Sequence, residues 1–252
     1  MRSLNIKELR VKIQNWITTY IRSANSNGVV IGLSGGIDSS VTAALCVNAL
    51  GNNNVIGISL PCDSLQKDIE DAEALAEDLG MRFLKINLTS IFEVFTKKFS
   101  SKIEPNKLSL GNIKPRLRMT ALYFIGQSMN NFLVAGTGNR TEIAIGYFTK
   151  YGDGAVDFEP IGDLYKCEVR ELAKELGLSH SIINKPPSAG LWEGQTDEEE
   201  IGISYFDLDE IVYRMDYGLP MDDIDQDKVH QVRNMVRSSQ HKRRMPPIFE
   251  IK

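Results

Sequence analysis

Four short apolar runs rich in β-branched residues, VVIGLS (29–34), NVIGISLP (54–61), RFLKINL (82–88) and FLVAGTG (132–138), punctuate the first half of this chain. Longer stretches of helical hydrophobic period separate them. Near-continuous apolar runs read as strands buried on both faces, and a helix between successive strands makes them parallel. The clearest helices are SVTAALCVNAL (40–50), DIEDAEALAEDLG (68–80) and PRLRMTALYFIGQSMNN (115–131), two of them stopped by Gly51 and Gly80. This alternation predicts an α/β fold, a doubly wound parallel sheet with helices on both faces. Ligands of such sheets bind beyond the carboxyl ends of the strands, where GLSGGIDSS and GTGNRTE both fall.

The first of these stretches runs Gly32, Leu33, Ser34, Gly35, Gly36, Ile37, Asp38, Ser39 between a strand and a helix. Glycines let backbone N–H groups approach a ligand closely, and the helix N-terminus adds oriented donors and partial positive charge, so the expected guest is a phosphate. No lysine follows the glycines as in a Walker loop, and their spacing is not that of a dinucleotide fingerprint. A plain turn with Asp38 and the serines as helix caps is the simpler alternative. Yet an acid inside an anion site makes chemical sense when a cation lies between the two, which calls for Mg2+ and a nucleotide together.

The rest of the chain narrows the classes. With 252 residues, 42% hydrophobic and 25% charged, it suits a single globular domain over 1–252. A net charge of −4 offers no broad footprint for nucleic acid. The opening MRSLNIKELRVKIQNW lacks a signal-peptide apolar block and no stretch has the length of a membrane span, so a soluble, cytoplasmic protein without membrane attachment is expected. Cys46, Cys62 and Cys167 are odd in number and widely separated, which points to neither disulfides nor zinc. The segment SSKIEPNKLSLGN (100–112) reads as a mobile loop suited to act as a lid. The last third changes character, with a proline- and glycine-punctuated loop at 185–202 followed by helical stretches at 204–218 and 227–244. Within it the basic run HKRR (241–244) is by default a solvated helix end.

A second chemical stretch after the fourth strand carries Thr137, Asn139, Glu142, Lys150, Asp153, Asp157 and Lys166. Several are ordinary surface charges and turn formers on the simplest reading, as are Glu171, Lys174 and Glu175 on the next helix. Glu142 stands apart, because a carboxylate on the same sheet edge as Asp38 could complete an oxygen-rich Mg2+ site with phosphate oxygens and water. Lys150 and Lys166 could then neutralise charge that develops in phosphoryl transfer.

SGGIDSS resembles the pyrophosphatase-type loop of ATP-dependent adenylating amidotransferases. Taken in order with GNIKPRLRM, GTGNRTEIAIGYFTKYGDGAVDFEPIGDLYK, KPPSAGLWEGQTDE and HKRRMPP, it resembles the ammonia-dependent NAD+ synthetase family over most of the chain. The resemblance implies a Rossmann-like, adenine nucleotide alpha hydrolase-like sheet with a helical C-terminal part. It also implies amidation of nicotinic acid adenine dinucleotide, with ATP as co-substrate and Mg2+ as cofactor. By position, Gly32 through Ser39 form the ATP-phosphate loop, with Thr137, Lys166 and Ser188 as further ATP contacts. Asp38 and Glu142 match the Mg2+ ligands, and Asp38 and Lys166 carry the catalytic charge. Arg116, Lys150, Asp157, His241 and Lys242 match dinucleotide-holding positions, and Tyr20 matches an aromatic that stacks on the pyridine ring. Ile37 stands where glutamine is frequent, and Pro115 where alanine is usual, which is expected to shift the start of that helix. Family members are dimers whose dinucleotide site uses both subunits, so a homodimer is implied. MTALYFIGQSM (119–129) is a candidate interface helix, with core packing as the equal alternative. tRNA-modifying users of such a loop would show a basic surface, and sulfur transfer paired cysteines. No cysteine precedes the ATP loop as an amidase nucleophile, so free ammonia is the expected nitrogen source.

Overall fold

A computed structural model describes residues 1–188, 194 and 196–251. All four expected strands form: β1 (Val29–Gly32), β2 (Val55–Ser59), β3 (Arg82–Lys85) and β4 (Leu133–Ala135). They pair in parallel in the order β3-β2-β1-β4, with Val30 opposite both Ile56 and Val134. The chain reverses direction across the sheet after β3, and this puts the ends of β1 and β4 side by side.

The pleat sorts each strand's side chains onto two faces. Val29, Ile31 and Val55 join one core with α1 (Ile6–Ser23), α2 (Ile37–Leu50), α3 (Gln66–Asp78) and, further on, α7 (Lys166–Glu175). Val30, Ile56, Ile58 and Val134 point the other way, against α4 (Thr89–Ser100) and α5 (Lys107–Ser128). α2 is buried from Ser39 through Cys46, which is why its sequence is apolar almost all round.

After β4 the chain is mostly helical: α6 (Arg140–Ile145), then α7, α8 (His180–Ile183), α9 (Asp197–Ile201), α10 (Tyr205–Tyr217) and α11 (Gln226–Ser238). α6, α10 and α11 share a third core around Leu208, Ile211, Val229 and Val232. Among the described residues no helix is long and apolar enough to cross a membrane.

Three local expectations change. The segment 100–112 is not one long loop, because α4 reaches Ser100 and α5 already starts at Lys107. The Asn106 side chain accepts from the Ser109 N–H at 2.8 Å and caps the new helix. Pro115 does not mark the start of that helix but lies inside it. A proline there withholds one N–H from the preceding turn and crowds the carbonyl of Gly111 four residues back, a local cost that the packing of this buried part of the helix outweighs. In the expected loop 185–202, Asp197–Ile201 is helical, with four acids in a first turn that favours negative charge. Residues 189–193 and 195 of that stretch lie outside the described residues.

Candidate active site

The turn after β1 is shaped by two constraints. Gly35 has φ +72°, and a Cβ on it would sit 2.4 Å from the Asp68 carbonyl oxygen, so any side chain is both strained and blocked. Lys185 secures the same residue from the other side: its Nζ donates to the Gly35 carbonyl at 3.0 Å and to the carboxylates of Asp68 and Asp71 at 2.6 and 2.7 Å. Ser34 and Ser39 hydroxyls lie 3.1 Å apart, and the Ser40 hydroxyl donates to the Gly36 carbonyl at 2.8 Å. Gly36 caps α2 without a side chain, which leaves the first-turn N–H groups for a ligand.

Beside this turn stands a buried charge cluster. Lys166, 2% exposed at the start of α7, donates from Nζ to Asp38 Oδ2 at 2.5 Å and to Glu142 Oε1 at 3.0 Å. Asn139 donates from Nδ2 to Asp38 Oδ1 at 3.0 Å and accepts the Glu142 N–H at 3.0 Å, forming one half of a capping box for α6. The Tyr205 hydroxyl lies 3.0 Å from both Glu142 Oε1 and Asp197 Oδ2, and its ring is 4.8 Å from the Lys166 ammonium. Burial pushes the Glu142 carboxyl up to about 7, against the pull of Lys166. Burial opposes the charge on Lys166 as well, but Asp38 and Glu142 outweigh it and hold the ammonium above its ordinary range.

Asp38 and Glu142 together offer hard oxygen donors suited to Mg2+. Among the described residues no group of three or more His, Cys, Asp or Glu could hold a metal by itself. The donor set therefore fits an ion that takes its other ligands from phosphate and water.

A cavity of about 390 Å3 opens onto this cluster. Its wall brings together Gly32, Leu33, Ser34, Gly36, Ile37, Asp38 and Ser39 with Thr137, Glu142, Lys166, Ser188 and Lys242. Gly35 is not part of this wall and packs against Asp68 and Lys185, which are. Sequence reasoning passed over Lys185, Asp68, Arg118, Tyr205 and Asp197, which share or adjoin this wall. For Tyr205 no local signal exists.

The dinucleotide candidates fall in three places. Arg116 donates from Nε and Nη2 to the Lys150 carbonyl at 3.3 Å, and Lys150 Nζ donates to the His241 carbonyl at 2.6 Å, so these three form one group. Arg116 also lines a second cavity of about 540 Å3 between α4 and α5, with Phe95, Phe99 and Leu108. Lys242 faces the first cavity, where its Nζ holds the carbonyls of Gly146 and Phe148 at 2.7 and 2.8 Å. Arg243 beside it binds the carbonyls of Ile143 and Ala144 at 3.2 and 2.7 Å, so this half of the basic run clamps the end of α6 instead of fraying into solvent. Asp157 and Tyr20 sit at the β4 edge, outside the first cavity's wall as the described residues define it. Asp157 accepts from the Val134 N–H at 2.7 Å and the Tyr123 hydroxyl at 3.1 Å, while Tyr20 donates to the Asp157 carbonyl at 2.8 Å and stacks on Trp16.

Glu159 lies behind the turn that carries Thr137, accepting from the Gly138 N–H at 3.0 Å. Burial raises its carboxyl from 4.5 to about 8. Between those values the unfolded chain is ionised and the folded one protonated, so the native state binds more protons and loses stability as pH rises. Glu159→Gln is therefore expected to gain about 2 kcal/mol relative to wild type on going from pH 5 to pH 8. Urea unfolding at both pH values checks this, and a pH-independent difference contradicts it.

A glycine turn feeding an uncapped helix at the carboxyl edge of a parallel sheet defines an α/β protein of the kind that holds nucleotide phosphates. The chain belongs to the NAD synthase family, whose model matches residues 9–246. It is 48% identical to the NH(3)-dependent NAD(+) synthetase of Archaeoglobus fulgidus over 251 residues, 99% of each chain. Among solved structures it is similar to an NMN synthetase from Francisella tularensis, with TM-score 0.90 and 36% identity over 99% of this chain and 100% of that one. An NH3-dependent NAD synthetase from Campylobacter jejuni, solved with nitrate, matches with TM-score 0.83 and 33% identity over 98% and 100%.

Proposed function

We propose that this chain is a ligase that makes NAD+ from nicotinic acid adenine dinucleotide, ATP and ammonia. The observation that carries the reading is Lys166, buried between Asp38 and Glu142 beside the phosphate-type turn, in a chain of the NAD synthase family. In the first step the nicotinate carboxylate attacks the α-phosphorus of ATP; an O–P bond forms and pyrophosphate leaves with the bonding pair. Ammonia then attacks the activated carbonyl, AMP leaves, and one proton is released with the amide. Such phosphoryl transfer needs positioning and charge stabilisation, without a protein nucleophile.

The first-turn N–H groups of α2 with Ser34 and Ser39 hold the leaving pyrophosphate, and Lys166 keeps a fixed positive charge beside it. Thr137 and Ser188 hold the remainder of ATP. Asp38 and Glu142 would hold Mg2+, which when bound offsets polyphosphate charge. Arg116, Lys150, His241, Lys242, Asp157 and Tyr20 hold the dinucleotide acid. Because these residues are dispersed over three places, the reading includes a homodimer in which the apolar α4–α5 face, with Phe95, Phe99, Leu108 and Phe124 exposed, meets a second copy. It also includes a single synthetase domain spanning the chain and a cytoplasmic location.

The test supplies ATP, Mg2+ and ammonium with either nicotinic acid adenine dinucleotide or the corresponding mononucleotide acid. The expected product is NAD+, with AMP and pyrophosphate in equal amounts, and scarcely any product when glutamine replaces ammonium. Preferred turnover of the mononucleotide would favour the second reading that the Francisella neighbour raises. No dependence of pyrophosphate release on either acid would overturn both.

A further inference from the structure

The charge cluster is assembled from the first turns of two short helices. α6 has six residues, and Glu142 is its third. α7 begins at Lys166, and the residue before it is Tyr165, not one of the short polar side chains that usually cap a helix. The N–H groups of its first turn still need acceptors.

Those acceptors come from one carboxylate on a helix 43 residues further along the chain. Asp209 of α10 is 3% exposed. Its Oδ1 accepts the Lys166 N–H at 3.2 Å and its Oδ2 the Cys167 N–H at 2.8 Å. Oδ1 also accepts the hydroxyl of Thr141, immediately before Glu142, at 2.5 Å. One side chain thus ties the backbone at Lys166 to the side chain of Thr141 next to Glu142, and the charged ends of Lys166 and Glu142 meet at 3.0 Å. Asp209 is itself immobilised, since Leu208, Ile211 and Val212 around it are buried in the third core.

We propose that Asp209 is a positioning residue for the proposed synthetase reaction, setting the register between the Lys166 and Glu142 helices. The inference rests on the functional reading above. An error of an ångström at a reacting centre costs on the order of a hundredfold in rate, while binding energy spread over the whole nucleotide changes little. Loss of Asp209 therefore acts on kcat more than on KM.

The experiment measures kcat and KM for both nucleotides, per molecule able to bind ADP, in wild type, Asp209→Ala, Asp209→Asn, Thr141→Val and the Asp209→Ala/Thr141→Val double variant. Asp209→Ala is expected to lower kcat by about thirtyfold or more and to leave both KM values within about threefold. Thr141→Val, which keeps the α7 cap and cuts only the link to α6, lowers kcat by about tenfold. The double variant is no slower than Asp209→Ala alone, because both changes break one link. Asp209→Asn is expected to lie between Asp209→Ala and wild type: its amide oxygen accepts from one of the Lys166 and Cys167 N–H groups while its NH2 faces the other, so one cap bond is kept and one is lost. A merely structural role predicts fewer ADP-binding molecules with wild-type kcat, and that result overturns the proposal, as do multiplicative losses in the double variant. If Asp209→Ala does not fold, a wild-type kcat in Thr141→Val overturns it equally. A wild-type protein that makes no NAD+ from the dinucleotide acid overturns the functional reading and this inference with it.

Discussion

Lys166→Met is expected to lower NAD+ formation by about a thousandfold or more, equivalent to about 4 kcal/mol of transition-state stabilisation. The ammonium is the fixed positive charge of the cluster, and its two partners are both carboxylates. Without it Asp38 and Glu142 face one another in a buried site, and Glu142 loses the group that opposes the upward push of burial on its carboxyl. The variant is therefore expected to lose about 3 kcal/mol of stability, the usual cost of removing one member of a buried ion pair. The sign of the pH dependence follows. A carboxyl whose folded pKa is raised makes the native state bind more protons, so the deficit grows as pH rises from 6 to 8. Adding Mg2+ is expected to raise the melting temperature of Lys166→Met more than that of wild type, because the vacated pair of carboxylates accepts another cation. Arginine is not expected to rescue the rate, since a planar fork does not fit a slot built for a compact ammonium. Product formation and urea unfolding at two pH values check these outcomes; activity within tenfold of wild type would remove Lys166 from the proposed chemistry.

The second large effect is expected at Asp38. Asp38→Asn keeps an oxygen for Lys166 but turns an NH2 group towards the Asn139 amide that donates to Oδ1 at 3.0 Å, so two donors face each other. Lys166 retains Glu142 as a partner, and the fold survives with a modest loss. Chemistry does not, because half the negative charge available to a divalent ion is gone. Formation of AMP and pyrophosphate is expected to fall by about a hundred- to a thousandfold, with a higher Mg2+ concentration needed for half-maximal rate. A folded Asp38→Asn protein that releases pyrophosphate at near-normal rate would show that Asp38 serves the turn and not the metal.

Much of this molecule is legible without its tertiary structure, for a local reason. β1, β2 and β4 announce themselves because strands buried on both faces are apolar, β3 only by its apolar middle between the exposed Arg82 and Lys85, and α2 because it is enclosed almost completely. The turn between β1 and α2 is legible because only certain residues permit its backbone: Gly35 sits at positive φ against Asp68 and cannot be replaced without strain. The residue types of Asp38, Glu142 and Lys166 also indicate their chemistry, since hard cations and phosphates need oxygen donors and fixed positive charge.

What a one-dimensional pattern does not contain is the pairing of distant groups. Pro115 reads as a helix boundary, yet α5 begins eight residues earlier, because Asn106 caps it and packing against the sheet outweighs one missing hydrogen bond. Lys242 and Arg243 read as a solvated basic end, but folding brings them to the carbonyls that close α6. Lys185 becomes a brace for the phosphate turn only when α3 presents Asp68 and Asp71 beside it. Asp209 gives no sign in its own helix that it caps another one. Composition and periodicity settle which segments are buried and which backbone turns are possible, since these depend on neighbours along the chain. The position of one charge relative to another depends on how layers stack, and that is decided only when the three cores close around the cluster.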